Sequence, residues 1–200
     1  MDRDDWNERH GDPERDHPSL DRPNRFLVDV VEDLPAGDAL DLAAGRGRNA
    51  LWLAERGWSV TAVDWSDVGL DMARRAAAER GVALRVQQAD LAVWEPSGTH
   101  DLVLIAYLHV PRPLREAVWK KASRAVAPGG RLVVIGHDPD NLTRGWGGPD
   151  DPAVHYGADE VAAVVGDDLD VERAEQVLRP VEDRPGVEAV DNVVVARRPG

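Results

Sequence analysis

The chain has 200 residues, a formal charge of −13 and 42% hydrophobic residues, which is one domain of ordinary size with apolar content enough for a buried core. An acidic chain whose only lysines are Lys120 and Lys121 excludes a large nucleic-acid surface, because neutralising phosphates needs clustered Lys and Arg; free small molecules fit better. The absence of cysteine excludes disulfides, thiolate nucleophiles and cysteine-ligated zinc, and no metal site is expected. The residues from Met1 to Trp6 carry no apolar signal-peptide core, and no run approaches the roughly 20 apolar residues of a membrane span, so a cytoplasmic location without membrane partners is expected.

Residues 1–22 are charged and contain Pro13 and Pro18, the composition of a mobile arm with Trp6 as its one large apolar anchor. A domain over 23–200 follows. Its first helix starts near Pro23, with Phe26, Leu27, Val30, Val31 and Leu34 at helical spacing, and stops before Pro35-Ala36-Gly37.

Strand and helix patterns then alternate: strand 39–42, helix 49–56, strand 60–63, helix 68–80, strand 84–88, strand 101–106, helix 113–126 and strand 131–136. Short strands separated by helices imply right-handed βαβ units and a mostly parallel sheet covered on both faces, a doubly wound α/β domain. Pro128-Gly129-Gly130 reads as a structural turn that ends one helix and releases the chain into the next strand. After a helix over 159–165, the strand-like runs 171–177 and 189–196 have no helix between them, and Pro180, Pro185 and Gly186 would break one. Those two strands are expected to pair antiparallel at the sheet edge.

The chemistry concentrates where the first strand meets its helix, in Asp41-Leu42-Ala43-Ala44-Gly45-Arg46-Gly47-Arg48-Asn49-Ala50. Gly45 and Gly47 lack Cβ, so the chain can turn tightly and bring backbone amides against a ligand at a helix N-terminus. Asp64 ends the next apolar run 17 residues after Gly47, close to the ~20 expected of a carboxylate that accepts from ribose hydroxyls. Together these read as a site for an adenosine-containing cofactor.

With Gln88-Ala89-Asp90-Leu91 and Ala127-Pro128-Gly129-Gly130-Arg131-Leu132 added, residues 23–198 resemble the seven-stranded, class I (Rossmann-like) S-adenosylmethionine-dependent methyltransferases. Within that class the chain looks most like the small bacterial enzymes related to the tellurite-resistance and thiopurine methyltransferases. The family often has glycine where Ala43 stands. The resemblance implies that amides of the turn from Ala43 through Gly45, Arg46 and Gly47 pack against the methionine part of the cofactor, and that Asp41 helps orient its ammonium. It implies that Asp64 accepts from both ribose hydroxyls and Asp90 from the adenine amino group. The Leu91 amide would donate to the adenine ring, Trp65 or Leu91 would cover its face, and Ala106 would offer a carbonyl to the ammonium.

Each acid also has a plainer role open to it: Asp90 as the N-cap of a helix begun by Leu91-Ala92-Val93-Trp94, and Asp64 as the cap of the segment at Ser66. Gly45-x-Gly47-x-x-Ala50 also satisfies a nicotinamide dinucleotide fingerprint. Asp90-Leu91, the terminal strand pair and the lack of room for a substrate domain oppose that alternative. A cofactor-binding sensor or accessory protein is the other alternative, and the cofactor motifs do not separate it from an enzyme.

Methyl transfer from a sulfonium is an in-line displacement, accelerated mainly by alignment in a dry site; a base is needed only when the acceptor arrives protonated. Ligands of this fold class sit beyond the carboxyl ends of the strands. Candidates are therefore Tyr107 and His109 after the fourth strand and His137 and Asp138 after the fifth, with Asp138 placed to orient a histidine or accept a proton. The segment 137–156, with Pro139, Pro149, Pro152, Trp146 and three glycines, is long enough to be functional; together with the arm 1–22 and its Trp6 it is the candidate lid, and it adds Arg144, His155 and Tyr156 as groups able to contact an acceptor. Imidazoles and a cation inside an acidic chain suit a chalcogen, thiol or small anionic acceptor. Trp52, Trp58 and the stripe around Trp119 read as packing.

Overall fold

A computed structural model describes residues 3–12 and 22–200, which fall into two compact units, 1–95 and 96–200. The prolines at 13 and 18 lie outside the described residues. Part of the expected arm is a helix, α1 (Arg3–Gly11), which packs on α4 (Asp67–Arg80) of the same unit.

The first unit continues with α2 (Arg25–Val31), β1 (Asp38–Leu42), α3 (Arg48–Glu55), β2 (Ser59–Asp64) and, after α4, β3 (Arg85–Gln88). Asn24 starts α2 by accepting the Phe26 amide at 2.9 Å, and Ser66 starts α4 by accepting the Gly69 amide at 3.0 Å. Both β1 and β3 pair in parallel with β2. Leu40, Leu42, Val60, Ala62 and Val63 are buried against Leu51, Leu53, Leu70 and Ala73 of the crossover helices. Each fully buried Leu contributes about 1.5–3 kcal/mol, which is what holds the strand ends and their loops in place.

The second unit contains β4 (His100–Ala106), α5 (Arg112–Arg124), β5 (Val126–His137), the short helix α6 (Asn141–Arg144), a 3-10 turn (Pro152–Val154), α7 (Ala158–Val165), β6 (Asp170–Pro180) and β7 (Glu188–Arg197). Parallel β4 and β5 are followed by β7 antiparallel to β5 and β6 antiparallel to β7. Leu102–Ile105 and Leu132–Ile135 are continuously buried, as strands covered on both faces must be. The seven strands among the described residues, five in the parallel part and an antiparallel pair at the C-terminal end, are those of the expected doubly wound α/β class.

Pro128-Gly129-Gly130 is not a turn before the strand but a bulge within it. Val126 pairs with His100, whereas Arg131 pairs with Leu102, so the residues between are looped out. Gly130 lies so close to the backbone that a Cβ there would stand 2.9 Å from the Asp101 carbonyl oxygen; only glycine lets the two strands rejoin.

Candidate active site

In the first unit, the chain leaves β1 through three residues with positive φ: Ala43 (60°), Gly45 (55°) and Gly47 (78°). A Cβ on Gly47 would stand 2.9 Å from that of Ala73, so this glycine is required both by its backbone and by the approach of α4. Ala43 holds the same left-handed conformation with a side chain, at a cost of roughly 1–2 kcal/mol.

Asp64 closes the turn: Oδ2 accepts from the Gly45 amide at 2.7 Å and Oδ1 from the Ser66 amide at 2.8 Å. The carboxylate thus ties the glycine turn to the start of α4, and with about four lone-pair sites it keeps capacity for further donors. Ser66 Oγ donates at 2.7 Å to Asn7 Oδ1 of α1, which brings the N-terminal helix to the same loop.

Asp41 is buried at the end of β1, and its Oδ2 has no hydrogen-bond partner among the described residues. Burial, reinforced by the charge of Asp64, pushes its carboxyl up to about 7 against the opposing pull of Arg48 and the Ala50 amide. Asp90 caps a turn, where its plainer reading expected a helix: Oδ1 accepts from the Ala92 amide at 2.9 Å, and its carbonyl accepts from Val93 and Trp94 at 3.1 and 2.8 Å. Leu91 is buried beside it, and the Trp65 carbonyl accepts from Gln88 Nε2 at 3.2 Å. Arg46 is half-buried in the glycine turn.

In the second unit, the end of β4 turns sharply at Tyr107, immediately after Ala106, with φ 60°. A bulky residue in that region is a genuine backbone outlier. Its amide donates to the Ile135 carbonyl at 2.7 Å and its hydroxyl to Asp191 Oδ2 at 2.8 Å. Asp191, fully buried, also accepts from His137 Nδ1 at 2.8 Å and from Arg179 Nε at 2.7 Å. Burial alone would raise the Asp191 carboxyl, but the His137 hydrogen bond and the Arg179 guanidinium hold it below the usual carboxylate range.

Around this hub the imidazoles gather. His109 stacks on His137 with centroids 5.1 Å apart and planes within 4°, and its Nε2 accepts from the His137 amide at 3.3 Å. His155 lies 6.2 Å from His137 and 5.8 Å from His109; it donates through Nδ1 to the Asp151 carbonyl at 3.1 Å, leaving Nε2 buried without a partner among the described residues. Burial lowers the His155 pKa and so favours the neutral ring.

The other candidates stand elsewhere. Asp138 is engaged beside its own strand end: its Oδ1 accepts from the Asp140 amide at 3.0 Å and from Gln176 Nε2 at 2.9 Å, capping the turn into α6. Arg144 is half-exposed and is used by Asp140, 2.8 Å away and one helical turn back, and by Gln176. Tyr156 is core, edge-on to Trp119, with burial raising its pKa; Gly136 makes room for its ring. The 137–156 segment is pinned rather than free: Asn141 donates to the Gly147 carbonyl at 2.7 Å and accepts from the Val190 amide at 2.8 Å. The residues that sequence reasoning missed are Asp191 and Arg179. Their one signal was the polar pair Asp191-Asn192 interrupting an apolar strand.

Residues 39–130 match the family described as a methyltransferase domain. Demethylmenaquinone methyltransferase of Thermus thermophilus is 39% identical over 121 residues, covering 59% of this chain and 55% of that protein. Trans-aconitate 2-methyltransferase of Rhizobium meliloti is 35% identical over 123 residues, 60% of this chain and 46% of the other. The chain thus spans about half the length of the curated relatives it matches. Among solved structures, the N-methyltransferase NodS from Bradyrhizobium japonicum, in complex with S-adenosyl-L-homocysteine, superimposes with a TM-score of 0.76 at 14% identity, over 99% of this chain and 98% of that one. That likeness speaks for the fold. The glycine turn and Asp64 both lie within the matched residues 39–130, and the fold is the Rossmann-like one of that solved methyltransferase. No helix among the described residues is long and apolar enough to cross a membrane.

Proposed function

We propose that this protein transfers the methyl group of S-adenosylmethionine to a small-molecule acceptor that carries an ionisable proton: a thiol, a chalcogen acid or another small anionic acid. The observation that carries this reading is the pair of acids at the glycine turn. Asp41 has a buried oxygen without a donor among the described residues, which suits the cationic methionine ammonium, and Asp64 holds the turn while retaining acceptor capacity for ribose hydroxyls. Asp90 and Leu91 are the proposed adenine contacts, with Trp65 at the ring face. The cofactor supplies a methyl on a positively charged sulfur; the chain's residues bind, orient and exclude water.

For the acceptor, the His155 ring, kept neutral by burial and with its Nε2 unpartnered among the described residues, favours a small molecule that brings an acidic proton. The name of the trans-aconitate relative accords with an anionic acceptor. Helix α1 is the proposed cover of the glycine turn in the first unit, and the 137–156 segment that of the imidazole cluster in the second. The test is calorimetric titration with S-adenosylmethionine and with NADH, followed by S-adenosylhomocysteine release from a panel of tellurite, selenite, thiols, phenols, small carboxylic acids and amines. The reading expects binding of the first cofactor only and product release from an acidic acceptor. Binding of NADH alone overturns it, and cofactor binding with silence across the panel favours a sensor.

A further inference from the structure

We propose that Asp191 and His137 form a proton-accepting dyad, in which His137 Nε2 takes the acceptor's proton and Asp191 is the positioning residue that fixes the imidazole, with Tyr107 and Arg179 holding Asp191 in place. The proposal rests on the methyltransferase reading above and narrows its acceptors to those that arrive protonated.

The tautomer follows from the hydrogen bonds. Asp191 also accepts from Arg179 and Tyr107, so it is an acceptor toward His137, and the 2.8 Å contact requires the proton on His137 Nδ1. A neutral ring protonated at Nδ1 carries its lone pair on Nε2. The ring plane is set independently by the His109 stack and by the Tyr107 ring, 4.9 Å away. At the Nε2 edge lies Gly148, φ 87°, where a Cβ would stand 2.9 Å from Nε2 and 2.5 Å from Cδ2. The chain therefore presses on the reactive edge with a residue that has no side chain to block it.

Charge placement supports the same role. The Arg179 guanidinium offsets the Asp191 carboxylate, so the resting pair is neutral; the carboxylate remains to stabilise the imidazolium once His137 is protonated. Tyr107 sustains its left-handed backbone while reaching Asp191, and strain held by surrounding bonds is typical of functional sites. The groups that face His137 are Asp191 of β7, Tyr107 and His109 after β4, and His155 after the 3-10 turn; Arg179 of β6 acts through Asp191, and Asp138 is the next residue in the chain. In the transfer, the acceptor's X–H proton passes to Nε2 while the X–C bond forms and the sulfonium C–S bond breaks, leaving a neutral thioether; the imidazolium then returns the proton to solvent.

The experiment uses the full chain with saturating S-adenosylmethionine. Nitrogen-15 NMR of histidine-labelled protein reads the tautomer without any acceptor: Nδ1–H is expected for His137, and Nε2–H overturns the proposal. S-adenosylhomocysteine release is then compared between wild type, Asp191→Asn, Asp191→Glu and His137→Gln, with 2-mercaptoethanol, phenol and selenite as probes. Loss of the base should lower kcat ~10²–10⁴-fold on a protonated acceptor, with S-adenosylmethionine affinity retained and Asp191→Glu recovering part of the rate. Wild-type kcat in either Asp191→Asn or His137→Gln overturns the dyad. Should Asp191→Asn fail to fold, the His137→Gln rate and the wild-type tautomer decide alone. Silence of the wild type on every probe, by contrast, is a failure of the methyltransferase reading.

Discussion

Asp64 provides the most direct check on how the cofactor loop is built, because its carboxylate is committed to two backbone amides before any ligand arrives. In Asp64→Asn one oxygen becomes an amide nitrogen, which must then face either the Gly45 or the Ser66 N–H, donor against donor. A hydrogen bond to a charged group contributes about 1.5–3 kcal/mol, so losing one of the two should destabilise the ligand-free protein by about 2–3 kcal/mol. Asp64→Ala, which loses both, should cost about 3–6 kcal/mol, a large part of the about 5–15 kcal/mol that holds a domain together. For a chain of this length the first change corresponds to a melting temperature lower by roughly 4–12 °C. Urea unfolding of the ligand-free protein measures the structural part, and calorimetric titration with S-adenosylmethionine measures the binding part. An Asp64→Asn protein within about 0.5 kcal/mol of wild type in urea would refute the claim that this acid organises the turn, whatever happened to binding.

Ala43→Gly relieves the left-handed strain but frees the unfolded chain; setting about 1–2 kcal/mol against about 0.5–1 kcal/mol leaves a net gain near 0.5–1 kcal/mol, read as a higher urea midpoint with unchanged slope. Gly148→Ala should lower turnover at least about tenfold while leaving S-adenosylmethionine affinity in place, since its Cβ would press on the His137 ring; equal turnover would remove the loop from the site. The Asp41 carboxyl, raised from 3.8 to about 7, keeps a proton in the folded state that the unfolded chain has already released. Its contribution is therefore fully present below pH 3.8 and lost as pH rises toward about 7, with a slope of at most about 1.4 kcal/mol per pH unit. Asp41→Asn should remove that slope and be the more stable protein at pH 8; identical midpoint differences between pH 5 and pH 8 in the two proteins would count against it.

The cofactor half was legible because its requirements are local. A chain that must turn with positive φ directly after a buried strand shows its glycines, and Asp64 falls at the end of the adjacent strand, where spacing finds it. The acceptor half was legible only in its residue types. His137 and Tyr107 stood out by position after their strands, but the acid that serves them lies 54 residues beyond His137, on a strand whose register places Asp191 directly opposite. Without that antiparallel register the adjacent Asp138 was the natural choice, although it spends its oxygen on the Asp140 amide and Gln176. Arg144 shows the local partner that its spacing offers: Asp140, four residues before it at the cap of the same short helix, pairs with it. The Pro-Gly-Gly bulge needed the pairing of β4 and β5, which no single-strand pattern contains.

Two buried aspartates then show how donors, not residue type, decide what an acid can do. Asp191 is as fully enclosed as Asp41, yet three donors reach it and hold its carboxyl below the usual range, so the ion is already satisfied and its use is to orient what donates to it. Asp41 has an oxygen that no donor reaches among the described residues, and its carboxyl is raised instead. An acid in the second condition favours whatever brings it a positive charge, because the ion then gains the partner that burial denied it. A cationic ligand group is therefore expected to bind more tightly as pH rises through about 7, when Asp41 releases its proton without help. The same ligand group has nothing to gain at Asp191. On the proposed reading the two acids divide the work, Asp41 receiving the methionine ammonium and Asp191 orienting the histidine that takes the acceptor's proton.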